Sequence, residues 1–349
     1  MADERERLNA LRAAAERGDA QAQYNYANEL YSPRHHYESE WCPNPTKEAL
    51  EWLEKAGEQG HLEAQWTVSY IHRYFGGAHY SEGIKWLRKA AEGGLVKAQR
   101  EFGIMLRDGD GVPKNDREAV QWFRKAAEQD DRDAQWTLGV MLRDGGVGIQ
   151  KNPQEAAEWF RKALTSRDPA KWWRPTRQLE FGIMLRDGDG VPKNDREATE
   201  WLEKTAEHFR MVAEQYSDTY SQWNLGVMLR DGMGIPQNLP EAVKWFRKAA
   251  EQDYREAQYV LGVMLRDGVG GSKNRREAAK WLLRAATLGE WKAIPDLLRM
   301  IPFIGPALLW TWRKVAGTSC RFCYLSTRLG LLVDDRKSKN GARRNRVRD

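Results

Sequence analysis

The sequence predicts an all-α solenoid, a chain of about seven consecutive helix–turn–helix repeats. Repeats of 34 to 44 residues are typical of proteins in which each unit stacks on its neighbours. One 19-residue block, Glu101–Ala119, recurs without change as Glu180–Ala198. The string Met-Leu-Arg-Asp-Gly starts at Met105, Met141, Met184, Met228 and Met264. A tryptophan-centred pattern recurs every 34 to 44 residues, at Trp52, Trp86, Trp122, Trp159, Trp201, Trp245 and Trp281.

The first half of each unit has the pattern of an amphipathic helix. In the unit that begins near residue 132, Ala134 and Leu138 start an apolar series with spacings of three and four residues. Gly139 lies inside this helix although glycine costs about 1 kcal/mol there relative to alanine. Because other units also have glycine at this position, we expect a close approach of a second helix. Gly145 is predicted to end the first helix with a positive φ.

The second half of each unit begins with a capping motif. An Asn at the N-cap and a Glu three residues later are predicted to cap the helix reciprocally. Inside that helix, Trp122 lies between Ala119 and Ala126 on one face, so we interpret the recurring tryptophans as core. The capping pairs are Asn115 and Glu118, Asn152 and Glu155, Asn194 and Glu197, Asn238 and Glu241, and Asn274 and Glu277.

These motifs resemble those of the Sel1-like repeat family, a branch of the tetratricopeptide-like helical repeats. The resemblance rests on Ala-x-x-x-Leu-Gly at 134–139, the glycine loop around Gly109 and Gly111, and Ala-x-x-Trp-x-x-Lys-Ala-Ala at 119–127. It covers roughly residues 17–290. Five units match closely, whereas the first two diverge, with Ser69 in place of the helix glycine.

The resemblance implies a right-handed superhelix with a concave face lined by the first helices. It also implies a non-catalytic adaptor that binds partner proteins or an extended peptide. Some relatives carry a cysteine pair in each repeat and have been linked to penicillin binding. This chain lacks those cysteines, so that enzymatic role does not transfer, and no nucleophile–base set is present to suggest another.

The chain is predicted to have three parts: the repeat array over 1–290, an apolar segment over 291–335 and a basic, disordered tail over 336–349. The tail holds seven Lys and Arg residues against Asp349, which accounts for the whole net charge of +6. Residues 1–335 are therefore formally neutral, and the array is not expected to bind nucleic acid. The tail itself suits acidic lipid, RNA or an import receptor equally well.

The apolar segment after the array has two interpretations. Residues 300–312 are uncharged, but thirteen residues interrupted by Pro302 and Pro306 are too few to span a bilayer. The segment either caps the exposed end of the array or docks on a membrane surface or a partner. The second interpretation gives an alternative function: a structural subunit of a large, membrane-associated complex docked through 291–335.

Metal, cofactor and catalytic sites are not predicted. Cys320 and Cys323 have the spacing of zinc ligands, but no second pair accompanies them, and the loop from Ser32 to Thr46 holds His35, His36 and Cys42 without a fourth ligand. The loop at Arg107–Gly111 does not fit a calcium-binding pattern. Three cysteines and a charged N-terminus without a signal-peptide core favour an intracellular, cytoplasmic protein, with a peripheral membrane location as the alternative.

Candidate partner-binding residues lie two positions before the Leu-Gly pair of each first helix. Aromatic residues and arginine are enriched at binding hot spots, and Arg143 stands two turns beyond Trp136 on the same stripe. The alternative is that these rings pack between repeats, which replacing Trp136 and Trp223 with alanine would reveal as loss of helicity. Two insertions, at Trp172–Trp173 and at 205–220, interrupt the period and mark further contact candidates. The predicted site residues are Trp66, Arg100, Trp136, Arg143, Trp223 and Tyr259.

Overall fold

A computed structural model describes residues 2–31, 46–75, 79–165 and 174–300. Within these ranges the chain forms sixteen α-helices and no β-strand, which confirms the predicted all-α class. The helices belong to two compact units. The first comprises 1–174 and 184–194, and the second comprises 175–183 together with the chain from 195 onward.

The first unit contains four helix pairs, each made of a first helix and a second helix that pack together. The helix α1 (Ala2–Glu16) precedes them and packs on the earliest first helix. The first helices are α2 (Ala20–Tyr31), α4 (Leu62–Tyr74), α6 (Val96–Asp108) and α8 (Arg132–Asp144). The second helices are α3 (Lys47–Glu58), α5 (Tyr80–Glu92), α7 (Asp116–Glu128) and α9 (Pro153–Thr165).

The second unit continues the same alternation. Its helix α11 has 21 residues, whereas the other second helices have 12 or 13, and the extra turns fall in the predicted insertion at 205–220. The other insertion, at Trp172–Trp173, lies outside the described residues. The helices are α10 (Arg174–Asp187), whose residues are divided between the units, α11 (Asp195–Gln215), α12 (Thr219–Asp231), α13 (Leu239–Glu251), α14 (Arg255–Asp267), α15 (Arg275–Thr287) and α16 (Ala293–Arg299).

Reciprocal Asn–Glu caps begin the second helices, as the sequence predicts. At α7 the Glu118 backbone N–H donates to Asn115 Oδ1 at 3.1 Å, and Asn115 Nδ2 donates to Glu118 Oε2 at 3.2 Å. The Asn115 backbone N–H donates to Leu106 O of the first helix, which ties the loop closed. The same caps form at α9, α13 and α15.

Helix glycines allow the two helices of a repeat to approach closely, as predicted. A Cβ placed on Gly139 would lie 2.6 Å from the ring of Phe160, which is fully buried on α9. The same relation joins Gly226 and Phe246 in the second unit, where the distance is 2.7 Å. A large side chain on the second helix therefore fills the space that the missing side chain leaves.

We expect Gly139→Ala to destabilise the fold by up to about 2 kcal/mol. Overpacking against Phe160 costs about 1–3 kcal/mol and outweighs the gain in helix propensity of about 1 kcal/mol. Urea unfolding followed by circular dichroism measures the change. Gly271→Ala is the matched control, because a Cβ there meets no atom within 4 Å. Equal stability of the two variants would contradict this account of the glycine.

In several repeats a buried glutamine joins the first helix to the helix before it. Gln99 Nε2 donates to Ala91 O at 3.2 Å, and Gln135 Nε2 donates to Ala127 O at 3.0 Å. Gln23 donates in the same way to Ala15 O of α1. The helix α1 therefore takes the place of a second helix ahead of α2.

Three of the recurring tryptophans of the second helices are buried core residues, as predicted, whereas Trp52, Trp86, Trp201 and Trp281 are half-buried. Trp122, Trp159 and Trp245 are 6–7% exposed. Each indole N–H donates to the glutamate four residues earlier, as in Trp122 Nε1 to Glu118 Oε1 at 3.4 Å. A lysine three residues later covers the ring, with Lys125 Nζ 4.0 Å from the Trp122 centroid. The polar edge of each ring is thus satisfied within its own helix.

Candidate partner-binding surface

Neighbouring first helices are linked by a carboxylate that accepts two hydrogen bonds. Glu101 on α6 accepts from Trp66 Nε1 at 2.8 Å and from Arg73 Nη2 at 2.6 Å, both on α4. The Arg73 side chain is only 6% exposed. Of the predicted site residues, Trp66 therefore has its indole N–H committed to a contact between repeats. Its ring remains half-buried, with Lys97 Nζ 3.7 Å from the centroid.

Tyr259 belongs to the equivalent link in the second unit. Its hydroxyl donates to Asp296 Oδ2 at 3.2 Å, and Arg266 donates to the other oxygen of Asp296. Burial, followed by the nearby Asp296 charge, raises the pKa of Tyr259 above its ordinary value of 10.0. The hydroxyl therefore stays protonated and acts as the donor at neutral pH.

Arg100 and Arg143 are also paired. Arg100 Nη1 on α6 lies 2.8 Å from Asp131 Oδ2 and 3.3 Å from Asp133 Oδ2, at the start of α8. Arg143 Nε donates to the adjacent Asp144 at 2.6 Å, and its Nη1 lies 3.5 Å from Met184 Sδ. Both guanidinium groups are partly exposed, so they can still contribute stacking surface to a ligand.

Trp136 and Trp223 hold the same position in their helices but differ in exposure. Trp136 is 7% exposed and packs on Phe160, with ring centroids 4.7 Å apart. Trp223 is half-buried between Phe246, at 5.2 Å, and Tyr254, at 5.5 Å. Trp136 therefore offers a partner very little surface, and Trp223 offers one part of its ring.

Among the described residues of the first unit, the most exposed aromatic surface is a row of rings along α4, of which sequence reasoning identified only Trp66. Trp66 stacks on Tyr70 with centroids 6.0 Å apart, and Tyr70 lies 4.5 Å from Tyr74. Tyr74 is 64% exposed, and Ile104 on α6 is 36% exposed. The signal in the sequence was the i, i+4, i+8 spacing of aromatic residues in α4. We call Trp66, Tyr70 and Tyr74 the aromatic row, and we include in it Ile104, which has the register position of Tyr70 on the neighbouring first helix α6.

The helix α4 departs from the other first helices where this row ends. In α6 and α8 the terminal arginine is followed by aspartate, and Arg107 donates to Asp108 at 2.7 Å and 2.9 Å. In α4 the residue after Arg73 is Tyr74, and Arg73 binds Glu101 on α6. This replacement puts an aromatic ring where other repeats have a neutralised charge.

In the repeated Arg-Asp sequence, the arginine and the aspartate that follows it form an ion pair within one helix. Each arginine donates to the next residue, and this hydrogen bond holds the pKa of the aspartate below its ordinary value of 3.8, as at Asp108 and Asp267. Burial opposes the shift without cancelling it. Each described arginine of these pairs therefore has a carboxylate of opposite charge beside it, and this neutralisation favours an uncharged ligand over an acidic one. The pairs involve Arg107, Arg143, Arg186, Arg230 and Arg266.

The remaining candidates for chemistry lie largely outside the described residues. Those positions are His35, His36, Cys42, Cys320 and Cys323, together with residues 301–349. In the part of the chain that the structure describes, no three His, Cys, Asp or Glu side chains are grouped as metal ligands. None of the described helices is both long enough and apolar enough to cross a bilayer.

Stacked helix pairs with reciprocal helix caps, and with carboxylate links between repeats, define a helical-repeat protein. Comparison with known families gives seven matches to the Sel1 repeat model, and the chain therefore belongs to the Sel1 repeat family. Members of this family are generally protein-interaction scaffolds and are typically non-catalytic. The matched segments are 20–61, 78–95, 96–131, 132–167, 178–208, 219–254 and 255–290.

Many solved structures are similar to this chain, and two of them illustrate the likeness. The first is c5321, a protective antigen present in uropathogenic Escherichia coli strains, which displays an SLR fold. It is 25% identical, with a TM-score of 0.65, and the match covers 92% of this chain and 67% of c5321. A Sel1 repeat protein from Oxalobacter formigenes is 24% identical with a TM-score of 0.55, covering 84% of this chain and 90% of its own. No curated protein matches the sequence.

Proposed function

We propose that this chain is a non-catalytic scaffold that binds a partner protein through the faces of its first helices. In the first unit the binding surface is the aromatic row with Arg100 beside it. The exposure of Tyr74 at 64% is the observation that carries the proposal. Tyrosine, tryptophan and arginine are the residues that contribute most often to binding hot spots.

The predicted site residues contribute unequally to this proposal. Trp66 and Tyr259 keep part of their rings exposed while they link repeats, and Trp223 supplies the corresponding surface of the second unit. Trp136 supports the surface from beneath. Arg143 remains a proposed contact at the edge of the first-unit face.

The charge pattern indicates the chemistry of the partner. Next to the aromatic row, Arg73 pairs with Glu101, and Lys97 pairs with Glu63. A charged ligand would lose hydration on this surface without gaining a counter-charge. We therefore expect the partner to present uncharged, apolar or aromatic side chains rather than an acidic peptide.

Quantitative affinity capture with mass spectrometry tests the proposal. We compare the full chain with a Tyr74→Ala/Ile104→Ala variant and with Tyr216→Ala as the matched control. Tyr216 is 68% exposed, follows α11 in the second unit and is not a member of the aromatic row. Partners that bind the aromatic row should be recovered with the control and depleted about tenfold or more with the double variant. Recovery of every partner at equal levels would contradict the proposed surface.

The alternative role, a subunit docked through residues 291–335, has one supporting observation. Trp291 is 54% exposed at the end of the described chain, whereas residues 301–335 lie outside the described part. Deletion of 291–349, which removes the whole docking segment and leaves α4 and α6 in place, discriminates between the two roles in the same capture experiment. A scaffold that uses the aromatic row keeps its partners, whereas a docked subunit loses them.

A further inference from the structure

The helix α16 continues the repeat register beyond residue 290, where the family matches end. Ala293 and Leu297 stand 36 residues after Ala257 and Leu261 of α14. All four are buried, Ala293 and Ala257 completely. The helix packs on α15, as α14 packs on α13. It therefore occupies the place of an eighth first helix.

The contacts of α16 agree with that register. Asp296 stands three residues after the buried Ala293, as Glu101 stands three residues after the buried Ala98. Asp296 accepts from an aromatic residue and an arginine of α14, as Glu101 accepts from Trp66 and Arg73 of α4. The link between consecutive first helices is thus repeated at the end of the described chain.

The face that would receive an eighth second helix is apolar. The α16 helix has only seven residues, whereas α14 has thirteen. On α15, Leu283 is half-buried and Leu288 is 43% exposed. Leu283 stands where α13 has Arg247, which binds Glu277 of the following second helix. The last described second helix therefore offers a leucine where its predecessor offers a cation.

The sequence beyond residue 300 contains a segment that matches this change. Residues 307–313, Ala-Leu-Leu-Trp-Thr-Trp-Arg, repeat the pattern that runs from Ala278 through Trp281 to Arg284. Pro306 stands where Glu277 stands in α15. The Arg–Glu pair between second helices is therefore replaced at both of its positions, by Leu283 and Pro306. Two matched replacements on separate segments indicate that the segments meet.

We propose that residues 307–316 dock on α15 and α16 as the second helix of an eighth, shortened repeat. Trp310 takes the buried position of Trp245, and Pro306 covers Leu283. The six residues 301–306 are enough for the connection, because helix–helix connections of two to eight residues are usual. The terminal units of a solenoid need such a cap. Residues 307–316 then pack on α16 as a second helix after it, and α1 packs on α2 in the place of a second helix before it.

Hydrogen exchange of the full chain, measured by mass spectrometry, tests this proposal. Residues 307–316 should be protected in the free chain, and Trp310→Ala should speed exchange of residues 293–299 by about tenfold or more. Trp312→Ala is the matched control. It removes the same kind of side chain from the position that corresponds to Leu283 and Arg247. Arg247 contacts the following second helix, whereas in the proposed eighth repeat this position faces solvent.

Two outcomes would overturn the proposal. One is equal exchange of residues 293–299 in the Trp310→Ala and Trp312→Ala variants. The other is protection of residues 307–316 that arises only when vesicles with anionic lipid are added, which would indicate membrane docking instead. Circular dichroism of both variants verifies that the array itself stays folded.

Discussion

Replacing Trp136 with alanine is expected to lower the free energy of unfolding by about 3–5 kcal/mol, as is usual for a buried aromatic residue. Trp136 is 7% exposed and packs on the ring of Phe160. Because Gly139 leaves Phe160 in close contact with α8, the surrounding helices cannot collapse into the space without moving the second helix. Urea unfolding followed by circular dichroism measures the loss.

Tyr74→Ala is the matched control for that measurement. It removes an aromatic ring from a first helix of the same unit, at a site that is 64% exposed, and we expect a change within about 0.5 kcal/mol. If Trp136→Ala is as stable as this control, Trp136 is a surface residue and its assignment to the core is wrong.

Replacing Glu101 with alanine should cost about 3 kcal/mol. The substitution removes the acceptor of both Trp66 and Arg73. The Arg73 side chain is 6% exposed, so its charge would remain buried without a counter-ion, the situation in which breaking an ion pair is most destabilising. Thermal and urea unfolding of the variant give the measurement.

Two comparisons separate the causes of that loss. Glu101→Gln keeps an acceptor for Trp66 but removes the charge beside Arg73, so we expect an intermediate stability. Asp108→Ala breaks the Arg107 pair, whose side chains are 38% and 49% exposed, and should change stability by less than about 1 kcal/mol. Similar losses of unfolding free energy for Asp108→Ala and Glu101→Ala would show that the link between repeats stabilises the fold no more than an exposed ion pair does.

The fold was largely predictable because its determinants are local and repeated. The Asn115–Glu118 cap and the Trp122 position follow from residues within one helix. Gly139 was predictable because the same close approach recurs in every closely matching repeat. These features need no knowledge of the neighbouring unit.

The candidate surface was less predictable because it depends on contacts between repeats. Trp66 and Trp136 share one register position, but their exposure is set by side chains on other helices. Glu101 and Asp296 were missed because only Glu180 repeats a carboxylate at their position, whereas the remaining repeats have Thr, Asn or Val there, so no regular motif marks them. Tyr70 and Tyr74 were missed because α4 departs from the repeat pattern there.

Titration of a purified partner, once identified by capture, against the full chain measures whether the first-helix face binds the partner while the second-helix tryptophans hold the repeats together. We expect Tyr74→Ala to raise the Kd by about tenfold or more, which corresponds to about 1.4 kcal/mol. We expect Tyr216→Ala to leave the Kd unchanged. An unchanged Kd for Tyr74→Ala together with Ile104→Ala would contradict binding through the first-helix face.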